Sequence, residues 1–73
     1  VVDVRHPSHV YEALGYVPLG PRALRVDRAE ELAAYLRRLR RRRSLRADAR
    51  VQQLTECNQP TALAVMNAMG FHP

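Results

Sequence analysis

The chain has 73 residues and a formal net charge of +5, set by twelve arginines, no lysine and seven acids. That length allows one small domain, near the size at which a hydrophobic core alone yields only about 3–5 kcal/mol. With Cys57 as the sole cysteine an internal disulfide is excluded, and the scattered His6, His9 and His72 with no second thiol argue against a zinc site.

In chain order, Val1-Val2-Asp3-Val4 alternates enough to predict a short strand, with residues 23–26 as its candidate companion. Pro7-Ser8 reads as a helix start with Ser8 as N-cap, and Gly15 closes that helix. Val17-Pro18-Leu19-Gly20-Pro21 is predicted as a connecting turn, because its prolines and glycine remove a donor and fix φ.

The clearest element is a helix from Arg28. Asp27 and Glu30 have capping-box spacing, and Ala29, Leu32, Ala33, Leu36 and Leu39 form one apolar stripe. The stripe fails at Arg40 and Arg43 and resumes at Ala47, Val51 and Leu54, with Ser44 as a candidate cap and Asp48 as a first-turn acid. Five like-charge pairs at helical spacing between Arg37 and Arg43 would cost on the order of 1–2.5 kcal/mol in water, which predicts a break near Ser44.

A last helix opens at Gln59-Pro60-Thr61 and stops at Gly70; its residues are apolar nearly all round, which predicts burial on several sides, with Phe71 folding back onto its end. The segment 10–18 echoes 65–73 at a spacing of 55 residues, either as two copies of a helical unit or as the same C-cap chemistry used twice. The expected fold is mainly α: three to four short helices with one short N-terminal strand or hairpin. It divides into a turn-rich region at 1–26, a central helix or helix pair at 27–57 and a C-terminal helix at 59–70.

Catalytic chemistry is sparse. No Ser-His-Asp or Cys-His order stands out, no glycine-rich loop could cradle a phosphate, and Glu30-Glu31 is accounted for by its place at a helix start. The expectation is a non-enzyme with no cofactor, no metal and no small-molecule substrate. Cys57 is expected to be buried and inert. A lone thiol fits a reducing intracellular compartment, an organelle such as the mitochondrion included. The longest uncharged run, 57–73, is too short and polar to span a bilayer. A first residue other than Met fits a processed protein or a segment of a larger assembly.

The functional signal is the basic cluster Arg37, Arg38, Arg40, Arg41, Arg42, Arg43 and Arg46, with no acid from 32 to 47. Guanidinium forks match phosphate oxygens, and the few aromatics are too dispersed for a base-stacking platform, so the expected partner is RNA phosphate, favoured over DNA. The alternatives are a helical DNA-binding module, docking on an acidic protein or anionic lipid surface, and a solvated basic face. Leu32, Leu36, Leu39, Val51, Leu54, Met66 and Met69 are expected either to build the core or to meet protein subunits of an assembly.

Overall fold

Gly20 and Pro21 reverse the chain within a three-stranded sheet that precedes a three-helix layer. In the computed structural model, which describes residues 1–73, the elements run β1 (Val2–Asp3), α1 (Ser8–Ala13), β2 (Tyr16–Leu19), β3 (Arg22–Arg25), α2 (Val26–Arg41), α3 (Ala49–Thr55) and α4 (Gln59–Ala68). The fold is mainly α with a small antiparallel sheet.

The sheet order is β1-β3-β2, with Leu19 opposite Arg22 and Val2 opposite Ala23. Residues 17–19, expected as part of a turn, belong to a strand. Pro18 is tolerated because β2 lies at the edge, where a missing donor need not break the ladder. The turn itself is only Gly20-Pro21. Gly20 has φ +65°, as the first position of a type II′ hairpin demands. A Cβ there would sit 3.3 Å from the Ala64 carbonyl oxygen, so the same glycine lets the hairpin seat against α4.

The first helix starts at Ser8 itself with Pro7 before it, so Ser8 does not cap. Tyr11 anchors this region instead. Its buried hydroxyl accepts the Arg5 and His6 N–H groups and donates to the Asp3 carbonyl at 3.1 Å, tying α1 to the end of β1.

The central helix begins two residues before the expected start, with Arg25 at the N-cap, and the capping box is not formed. It ends at Arg41. Beyond it the Arg43 N–H donates to the Arg40 carbonyl and the Ser44 N–H to the Leu39 carbonyl, the paired bonds of a Schellman closure. Arg43 occupies the left-handed position of that motif at φ +55°, where glycine is the usual residue. The next helix is capped by Asp48, whose carboxylate accepts the Val51 N–H at 2.9 Å, rather than by Ser44. It closes through a second Schellman pair with Glu56 at φ +54°.

Asn58 caps α4 through the Thr61 N–H at 3.2 Å. The helix buries one face, Ala62, Val65 and Met66, while Leu63, Ala64 and Met69 are half-buried and Ala68 is exposed, so it is not buried on several sides. Gly70 then adopts φ +89°, and the Phe71 N–H donates to the Met66 carbonyl as its ring folds back, 7% exposed. The echoed segment diverges after its glycine. Gly15 also has positive φ, but Tyr16 enters β2 instead of plugging a helix end.

One core cluster joins Leu24 of β3 to α2, α3, α4 and Phe71. Leu32, Leu36, Val51 and Met66 have no exposed surface, Leu39 and Leu54 very little, and Met69 packs against the cluster from its edge. These side chains are therefore occupied within the chain. Cys57 is half-buried rather than buried, with its thiol 3.1 Å from the Thr55 carbonyl.

Candidate nucleic-acid interface

The basic cluster begins where the apolar stripe of α2 runs out. At about 100° per residue, Arg37, Arg38 and Arg41 fall on the side of the helix away from Leu32, Leu36 and Leu39, while Arg40 lies beside the stripe. Arg42 and Arg43 belong to the helix closure, and Arg46 lies on the bridge between Arg42 and Asp48. All seven are exposed, and none is in an ion pair. Arg38, Arg40 and Arg41 occupy the last turn of α2, where cations complement the negative end of the helix dipole.

Two of the guanidinium groups are braced by aromatic rings. Arg40 lies 4.7 Å from the centroid of Phe71, and Arg38 lies 5.7 Å from that of Tyr35. Such cation–π contacts hold a flexible side chain without neutralising its charge.

The bridge is fixed at both ends. The Schellman bonds fix its start, and at its far end the Tyr35 hydroxyl donates to Asp48 at 2.6 Å while that carboxylate caps α3. Burial alone would raise the pKa of Asp48. The hydrogen bonds from Tyr35 and Val51 and the charge of Arg46 more than offset burial and hold the carboxyl below its ordinary value. Tyr35 is pushed above its ordinary value, first by the same hydrogen bond and then by burial.

Between the closures of α2 and α4 lies an open groove of about 380 Å³, lined by Arg40, Arg43, Leu45, Gly70, His72 and Pro73. His72 is held by a 3.0 Å contact between its Nδ1 and the Asn67 Oδ1. Arg40 and Arg43 belong to the arginine cluster evident in the sequence, whereas His72 and Phe71 give no such sign, because no local pattern links residues 40 and 71. A smaller cavity of about 160 Å³ lies near the chain start, between Leu24, Arg28, Leu54 and Glu56. No group of three or more His, Cys, Asp or Glu side chains is placed to hold a metal ion, and no helix is long and apolar enough to cross a membrane. No protein family model, curated protein or solved structure matches the chain.

Proposed function

We propose that the chain is a non-enzymatic subunit of an intracellular ribonucleoprotein-type assembly, contacting RNA phosphates through Arg37, Arg38, Arg40, Arg41, Arg42, Arg43 and Arg46. The observation that carries this reading is the exposure of all seven without a carboxylate partner. Three of them lie on a closure and a bent bridge rather than along a straight helix. That favours the irregular backbone path of folded RNA over the regular groove of duplex DNA. Because the leucines of α2 lie in the chain's own core, protein neighbours in the assembly would be met mainly through charge.

The test is the salt dependence of RNA binding. If about five phosphates are neutralised, log K falls against log salt with a slope near −3.5 to −4.5. A slope of zero discards the reading. Tighter binding to duplex DNA than to folded RNA would turn it into a DNA-binding module. Loss of a protein partner on charge reversal, with RNA binding weak throughout, would turn it into an adaptor docking on an acidic surface.

A further inference from the structure

The seven arginines are not equivalent. Arg37 and Arg41 stand on an open helix face, whereas Arg40 and Arg43 line a groove whose other wall is the closure of α4. It is open to solvent, and its volume of about 380 Å³ leaves room for a phosphate group. The groove combines two guanidinium groups and an imidazole with the apolar flanks Leu45 and Pro73. Arg40 is braced by the Phe71 ring, and His72 is held by Asn67. No Asp or Glu side chain lines it.

The backbone at Arg43 carries strain, as it also does at Glu56 at the end of α3. Arg43 sits at φ +55° in a closure that glycine would serve better, and α4 closes in the same way with Gly70 at φ +89°. A Cβ in the left-handed region is disfavoured, so Arg43 reduces stability at a position that lines the groove.

We infer that Arg40, Arg43 and His72 form a subsite for the phosphate of a single nucleotide unit, with Leu45 and Pro73 flanking its sugar or base. The subsite rests on the RNA reading above and deepens it. It makes one phosphate position distinct from the diffuse contacts of the outer helix face. The nucleotide unit belongs to an RNA strand or is free, and the two sources are separated by comparing a short single-stranded RNA with 5′-AMP.

The test compares Arg43→Gly with Arg37→Gln in the full chain. Removing any one phosphate contact at physiological salt weakens RNA binding about fourfold through counterion release alone, which is the loss expected for R37Q. R43G is expected to weaken binding of the short RNA by about tenfold or more, because charge-assisted hydrogen bonds in the groove are lost as well. It is also expected to raise the Tm by about 4–8 °C, as a strained residue gives way to glycine. Titration with the RNA should shift the amide resonances of Gly70 and His72; shifts with 5′-AMP as well would extend the subsite to free nucleotides.

If R43G and R37Q lose affinity equally, or if bound RNA leaves Gly70 and His72 unmoved, the subsite is wrong while the RNA reading stands. A wild-type salt slope of zero removes both.

Discussion

On β3, Arg22 reaches Asp3 at 3.1 Å, and Arg25 beside α2 reaches Asp27 at 3.6 Å; between Arg37 and Arg46, seven arginines reach no carboxylate at all. Residues 1–31 carry four arginines against five acids, and residues 32–47 carry seven against none. The same residue type thus does two kinds of work. In the sheet region its charge is answered within the fold, and exposed pairs of that kind contribute about 0–1 kcal/mol. In the cluster the charge is unanswered, and mutual repulsion is a cost carried by the free chain that an anionic ligand would relieve.

The largest effect that would break this comparison is on binding. Reversing Arg41 and Arg42 to Glu is expected to lower RNA affinity by about a hundredfold or more and to flatten the salt slope by about 1.5–2. The Tm should change little, since no ion pair is lost and the eased repulsion offsets the unfavourable placing of a negative charge at position 41, at the negative end of the α2 dipole. Parallel filter-binding and melting curves check both halves, and a collapse of the fold would show that the cluster is structural after all.

An intermediate effect sharpens how the cluster is held. Asp48→Ala removes the cap of α3 and the acceptor of the Tyr35 hydroxyl. The expected cost is about 0.5–2 kcal/mol, read as a fall in Tm. Because the Asp48 pKa is lowered by folding, its charge contributes stability that is present above its unfolded pKa and lost as the pH falls through the folded one. The difference in Tm between wild type and D48A should therefore narrow below about pH 4. A gap that stays constant down to the acid limit would show that the carboxylate charge contributes nothing there.

The smallest effect belongs to the sheet. Arg22→Gln removes a partly exposed pair with Asp3 and should change stability by less than about 1 kcal/mol, with the change shrinking in high salt. RNA affinity should be nearly unchanged. A loss as large as that of a cluster arginine would erase the distinction between the two regions.

The parts of this architecture that could be read from sequence are those decided by neighbours three or four residues apart. The stripe Leu32, Leu36 and Leu39 announces α2, and the crowding of arginines announces its end; the helix stops at Arg41. Pro60 and Gly70 bracket the last helix in the same way, within a residue or two. What could not be read depends on distant partners. Residues 17–19 look like a turn until β3 pairs with them and leaves Pro18 at an edge. Ser44 and Asp48 are both good caps on paper, and Tyr35, thirteen residues upstream, adds a bond to Asp48. Arg43 gives no local sign of taking a glycine position. The cluster itself is visible, but its division into an outer face and a groove is not, because Phe71 meets Arg40, and His72 lines the groove with it, only once α4 has folded back.

The bridge from Arg42 to Asp48 is short and clasped at both ends by hydrogen bonds. Its backbone is already ordered before any ligand arrives, so association would forfeit mostly side-chain freedom there rather than the larger backbone entropy of a disordered basic tail. A basic knuckle held in this way would select anions by the spacing of their charges, where a flexible tail would accept almost any polyanion.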